Sequence, residues 1–133
     1  MIWAVETVRI WAKNRHLLGL DSVVFPIYNG YMDIDLSKLE GFEWDKGNES
    51  KSLKKHGIAP LEAEEAFFNV YVVFPDQHHS VNEPRYGMYS QTNAGKVLFI
   101  SFTIRGRLAR VISARLANKK ERESYEQTLK RAA

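Results

Sequence analysis

A chain of 133 residues, 44% hydrophobic and 26% charged, has the size and composition of one globular domain, which excludes a disordered chain or an enzyme with separate cofactor and substrate lobes. It has no cysteine, so disulfide scaffolds, thiol nucleophiles and cysteine-ligated metal sites are excluded, and no apolar run approaches the roughly 18 residues of a membrane span. The net charge of +3 is uneven: +1 over residues 1–31, −6 over 32–83 and +8 over 84–133. A basic half of this kind points to a polyanion-binding face, or else to a surface where the two halves pair their charges.

Residues 1–31 carry Trp3, Trp11, Phe25 and Tyr28 among few charges. Glu6, Arg9, Lys13 and Arg15 interrupt the apolar pattern, so no export signal is expected. Residues 2–12 have a weak amphipathic helical pattern. Met32 is a possible second start, and the division expected is an N-terminal extension over 1–31 followed by a domain over 32–133.

Phe42-Glu43-Trp44 reads as a short strand. Residues 45–56 read as a helix with Leu53 as its apolar anchor, closed by Gly57 in the left-handed cap position. Pro60 suits the first turn of a second helix, and Glu62, Glu64 and Glu65 favour its positive end. Leu61, Ala63, Ala66 and Phe67 supply its apolar positions. A strand over 70–74 and a polar loop over 77–84 follow. Three more strands are expected over 85–92, 96–105 and 107–116, the last two joined at Gly106. Asn118 and Glu121 form a capping box for a basic helix running to about residue 129. This order predicts an α+β domain: a mostly antiparallel sheet of about four or five strands, two helices before it and one after it, packed on one face.

The chemistry-bearing residues are few. His78 and His79 lie in the polar loop, where adjacent side chains of an extended segment diverge. No His, Asp and Glu cluster has metal-ligand spacing, so neither metal nor cofactor is expected. His56 ends a helix, where imidazolium is stabilised by the negative helix end, or where a histidine simply plays a structural part. Ser113 lies near arginines without an adjacent base. No phosphate-cradling glycine loop or dinucleotide fingerprint is present.

The arginines stand out. Arg85, Arg105, Arg107, Arg110 and Arg115 lie on or beside three successive strands, and guanidinium groups suit phosphate and phosphoryl transition states. Strand alternation puts Arg107 and Arg115 on one face and Arg110 on the other. All three can join one site only if a bulge or twist re-aims one of them. The competing reading has their long stems packed over the sheet. Tyr125 falls one turn after Glu121, either as a core ring or as a phenol near the arginines. Tyr86 and Tyr89 share the Arg85 strand, where rings either stack on bases or pack.

Several segments taken in order are familiar. They are Phe42-Glu43-Trp44-Asp45, Lys55-His56-Gly57-Ile58, Glu62-Ala63-Glu64-Glu65-Ala66-Phe67-Phe68, His79-Ser80, Glu83-Pro84-Arg85-Tyr86, Phe102-Thr103-Ile104-Arg105-Gly106, Arg110-Val111-Ile112-Ser113-Ala114-Arg115, and Lys119-Lys120-Glu121-Arg122-Glu123-Ser124-Tyr125-Glu126. Over about residues 41–127 the chain resembles the BrnT family, ribonuclease toxins of bacterial type II toxin–antitoxin systems.

The resemblance implies a RelE-like fold and a cytoplasmic, metal-independent endoribonuclease that cuts RNA and halts translation. It implies neutralisation by a BrnA-like ribbon-helix-helix antitoxin, through which alone operator DNA would be contacted. Carried onto this sequence, it makes His56, Arg85, Arg115 and Tyr125 the catalytic candidates and Arg105, Arg107, Arg110 and Lys119 the RNA-binding ones. Ser90 and Gln91 stand where family members commonly carry Gly-Arg, Pro84 replaces a frequent Glu, Ala59 a frequent Ser, and Leu116 a frequent charged residue. The missing Gly-Arg pair supports an alternative, a weak or inactive homologue that binds antitoxin or RNA. A third reading is a metal-dependent hydrolase using Asp76, His78 and His79.

Overall fold

The computed structural model describes residues 9–11, 23–24 and 36–132. In chain order these form β1 (Arg9–Trp11), β2 (Val23–Val24), a 3-10 turn (Leu36–Lys38), β3 (Gly41–Phe42), α1 (Lys51–His56), α2 (Pro60–Ala66), β4 (Tyr71–Pro75), β5 (Arg85–Gln91), β6 (Val97–Arg105), β7 (Leu108–Leu116) and α3 (Lys119–Ala132). The fold is α+β. The sheet order is β2-β1-β4-β5-β6-β7-β3, five of these strands lying from Gly41 onward. The sheet is mixed: β3 runs parallel to β7, pairing Gly41 with Leu108 and Phe42 with Ala109, and the other ladders among the described residues are antiparallel.

Arg9–Trp11 is a strand, paired antiparallel with Tyr71–Val73, so the helical pattern over 2–12 is not realised there. The open edge of β4 supplies the backbone partners that a lone short helix lacks. Apart from β1 and β2, the 1–31 extension lies outside the described residues, as does Met32.

The helix expected over 45–56 is confined to Lys51–His56. Its first half is a turn, because Asp45 accepts the Gly47 N–H (2.8 Å) and the Asn48 amide oxygen accepts the Asp45 N–H (2.8 Å). Such local side-chain bonds compete with the helical ladder. Leu53 is exposed and does not anchor α1. Ser52 does, its buried hydroxyl accepting the Ala114 N–H of β7 (2.8 Å). Gly57 closes the helix with φ +72°, as expected. In α2, Ala63 and Ala66, followed by Phe67, face the core, while Leu61 is exposed.

The core lies between α1–α2 and one sheet face. Tyr71, Val73, Met88, Leu98, Ile100, Phe102, Ala109, Val111 and Ala114 come from the strands, with Phe67 against Phe102 and Phe42 edge-on (ring centroids 5.1 Å in both pairs). Beyond β3 the edge of β7 has no strand partner among the described residues. Buried Asn48 takes that place, its amide donating to Val111 O (2.8 Å) and Glu43 O (3.0 Å). The third helix departs from the expected single helical layer. Its first turn reaches Arg115, which leaves β7 on the side away from Ala114. Its Tyr125 is buried and donates its hydroxyl to Val70 O (2.7 Å).

Candidate functional site

The sheet face opposite the core is where the strand arginines gather, and a bulge brings them together. Ser101 pairs with Ser113 and Phe102 with Val111, so Ile112 has no opposite residue on β6. Before the bulge Ala109 and Val111 point into the core; after it Ala114 does. The extra residue resets the alternation, and Arg110 and Arg115 emerge on the same face. In register across that face, Arg85, Thr103 and Arg110 form one row. Phe74, Gly87, Ser101 and Ser113 form the next, and Val72, Tyr89, Phe99 and Arg115 a third.

An aromatic cluster fills the middle. Phe74 stacks near Phe99 (6.2 Å, 21°) and tilts against Tyr89 (5.3 Å). Gly87 makes this possible: a Cβ there would meet Phe74 Cζ at 2.7 Å and Phe99 Cε1 at 3.2 Å. The Arg115 guanidinium lies 4.7 Å from the Phe99 ring centroid, a cation–π contact.

Four of the five arginines are held by carboxylates. Arg115 is gripped bidentately by Glu121 (2.8 and 2.9 Å) and also donates to Leu116 O (3.2 Å). Glu121 accepts the Asn118 N–H while Asn118 accepts the Glu121 N–H, both at 2.8 Å, so the expected capping box forms and also aims Arg115. The guanidinium beside it, then the Asn118 N–H, hold the Glu121 carboxyl below its ordinary value against the opposing effect of burial. Arg110 bonds Asp45 (2.8 and 3.0 Å) and Glu43 (2.9 Å). Arg105 bonds Glu83 (3.2 Å twice) and Glu43 (3.0 Å). Arg107, at the exposed hairpin, bonds Glu40 (2.9 Å). Glu83 and Asp45 are both held below the ordinary carboxylate range, chiefly by hydrogen bonds from Arg105 and Arg110 respectively. The acidic middle and basic end of the chain are therefore joined at this edge.

Arg85 differs. Its guanidinium has no hydrogen-bonded or ion-paired partner among the described residues, although its backbone is tied down. It starts β5 beside Thr103, whose hydroxyl donates to Pro84 O (2.6 Å). The loop before it holds a pair that the sequence offered only as possible metal ligands. His79 donates from Nδ1 to the Asp76 carboxylate (2.8 Å), and its ring is exposed. The spacing Asp-x-x-His in a polar loop was the available signal; the partner was not. Among the described residues no three His, Asp or Glu side chains are grouped so as to hold a metal ion, which leaves the metal-hydrolase reading without a ligand set.

The remaining candidates are scattered. His56 is exposed at the end of α1, and α1 is anchored through Ser52 to the edge of β7. Lys119 is exposed at the start of α3. Tyr125 is not placed as a phenol at the arginine face. Its ring is 2% exposed, burial pushes its hydroxyl well above the usual phenol value, and its proton is committed to Val70 O. Tyr86 packs against Phe102 on the core side (5.6 Å). Ser90, one of the departures from the family pattern, is buried and shares its hydroxyl hydrogen between Ala66 O (2.6 Å) and Val70 O (3.0 Å). It joins β5 to the end of α2 and the start of β4.

No helix among the described residues is long and apolar enough to cross a membrane. No curated protein matches the chain. A family model does match, over residues 44–121, and it is described as the ribonuclease toxin BrnT of a type II toxin–antitoxin system. The match covers more than half of the sequence, spans α1 to the first turn of α3, and includes Arg85, Arg105, Arg107, Arg110 and Arg115. This chain belongs to the BrnT family of type II toxin–antitoxin ribonuclease toxins.

Proposed function

We propose that the chain is a metal-independent endoribonuclease with a RelE-like fold that cuts RNA in the cytoplasm, inhibits translation, and is neutralised by a BrnA-like ribbon-helix-helix antitoxin. Operator DNA is contacted only through that antitoxin. The observation that carries the enzymatic part is the Arg85 guanidinium. Among the described residues it has no hydrogen-bonded or ion-paired carboxylate, and it lies on the same sheet face as Arg110 and Arg115, beside a row of hydroxyl side chains.

The RNA 2′-hydroxyl attacks the adjacent 3′-phosphate in line, leaving a 2′,3′-cyclic phosphate and a free 5′-hydroxyl. Arg85 takes the phosphate in a fork and stabilises charge building on its equatorial oxygens. Arg115, fixed by Glu121 and Phe99, presents its remaining N–H groups to the same anion. Arg105, Arg107, Arg110 and Lys119 add backbone contacts, which makes binding salt-sensitive.

A second reading is favoured by one specific observation. Glu121, Glu43, Asp45, Glu83 and Glu40 already neutralise four arginines, as expected of a weak or inactive homologue that only binds its antitoxin or RNA. A cleavage assay decides between them. The full chain is incubated in EDTA with end-labelled RNA, free and on translating ribosomes, beside Arg85→Ala and Arg115→Ala. Fragments ending in cyclic phosphate, lost in both variants, support the ribonuclease. Intact RNA in both settings supports the binding module.

A further inference from the structure

We propose that His79, oriented by Asp76, is the general base that removes the 2′-hydroxyl proton, a role that rests on the ribonuclease reading above. The loop carrying His79 is stapled to the first residue of β5 by two hydrogen bonds and closed on itself by a third. The Asp76 N–H donates to Arg85 O (2.8 Å), the Ser80 hydroxyl donates to Asp76 O (2.6 Å), and the Arg85 N–H donates to Ser80 Oγ (2.9 Å). His79 lies between these staples. It is therefore held beside the backbone of Arg85, the one of the five arginines above with no hydrogen-bonded or ion-paired side-chain partner among the described residues.

The Asp76 carboxylate accepts at 2.8 Å from Nδ1, which requires the hydrogen on Nδ1 and leaves the Nε2 lone pair available in neutral imidazole. When Nε2 takes a proton, the imidazolium stays hydrogen-bonded to the same carboxylate at Nδ1. The other titratable and charged groups of this loop are His78, whose ring is 6.5 Å away, and Glu83, which is occupied by Arg105. His79 thus has both an orienting carboxylate and an open nitrogen. No comparable partner orients His56 among the described residues.

The step balances. Nε2 accepts the 2′-hydroxyl proton as the 2′-oxygen bonds to phosphorus. The bond from phosphorus to the 5′-oxygen breaks, and that oxygen takes a proton from solvent. The imidazolium returns its proton to water. Arg85 holds the non-bridging oxygens throughout.

The test uses the full chain and synthetic RNA, on whichever setting the parent cleaves, free or ribosome-bound. His79→Gln is expected to lower the cleavage rate about 10²–10⁴-fold with an unchanged melting temperature. Asp76→Asn lowers it by a smaller factor, and His78→Gln leaves it unaltered. The loss in His79→Gln should persist on RNA carrying a 5′-bridging sulfur, a leaving group that needs no proton. Recovery on that substrate would overturn the base assignment. Cleavage by His79→Gln at the parental rate overturns the inference and leaves the ribonuclease standing. A parent that cuts neither free nor ribosome-bound RNA overturns both.

Discussion

Arg110 and Arg115 share one face of β7 although they are an odd five positions apart, because Ile112 is the unpaired residue of a bulge between Val111 and Ser113. Without it Arg115 would point toward the core beside α1 and α2. With it, the Arg115 guanidinium reaches Phe99 and Glu121. One irregularity in one ladder thus decides which residues can cooperate on a bound anion.

Arg85 and Arg107 should separate cleanly when each is replaced by alanine. Arg85→Ala is expected to lower the cleavage rate by about 10²–10³ while leaving stability within roughly 0.5 kcal/mol. Arg107→Ala, at an exposed ion pair with Glu40, should weaken RNA binding and flatten its salt dependence by about one unit of slope without slowing saturated turnover. Turnover and RNA titrations across a salt series check both. A turnover defect in Arg107→Ala would place the hairpin in the chemistry.

Glu121 links stability to pH. Its carboxyl is held below the ordinary value of 4.5 by Arg115 first and the Asn118 N–H next. A depressed folded value means the contribution is fully present above 4.5 and is lost as the pH falls through the folded value. The stability gap between the parent and Glu121→Gln should therefore be larger at about pH 6 than at about pH 3, read from urea unfolding. A gap that grows on acidification would contradict the assignment.

Asn48→Ala should destabilise the fold by roughly 2–3 kcal/mol. The change leaves Val111 O without the amide that replaces a strand partner, and frees the Asp45 N–H. Because the Asp45 turn also sets the carboxylate on Arg110, amide exchange should rise along residues 45–52 before it rises in β5 or β6. Uniform exchange across the sheet would mean that the β7 edge has no local role.

Tyr125→Phe should cost little, about 0.5–1.5 kcal/mol, since Val70 O keeps the Ser90 hydroxyl as a donor. Tyr125→Ala removes a buried ring and should cost about 3–5 kcal/mol. Cleavage by Tyr125→Phe should equal that of the parent. A large loss of cleavage with intact stability would return the phenol to the active site.

Much of the architecture is legible in local sequence because its causes are local. Gly57 marks the end of α1 by its left-handed φ, Pro60 opens α2, and Asn118 with Glu121 caps α3, each through bonds spanning a few residues. The apolar alternation of β6 needs only the period of a strand to be read. Leu53 and Asp45 mark the limit of such reading. A leucine at helical spacing was outcompeted by Ser52, whose partner Ala114 is 62 residues away. The turn at Asp45 is fixed partly by Asn48 bonding Val111 across 63 residues.

The sequence by itself determined the order of elements from β3 onward, the helix caps, the concentration of arginines on three strands and the family. The tertiary structure alone decided that Arg110 and Arg115 face the same way, that Glu43 and Asp45 neutralise Arg110 while Arg85 has no ion-paired partner among the described residues, that Tyr125 is buried, and that Asp76 holds His79 in the loop bonded to the Arg85 backbone. The physical reason is range. Caps and periodicity are set by neighbours along the chain. Bulge position, charge pairing and burial are set by which strands lie side by side, and that is fixed only when the whole sheet closes on its core.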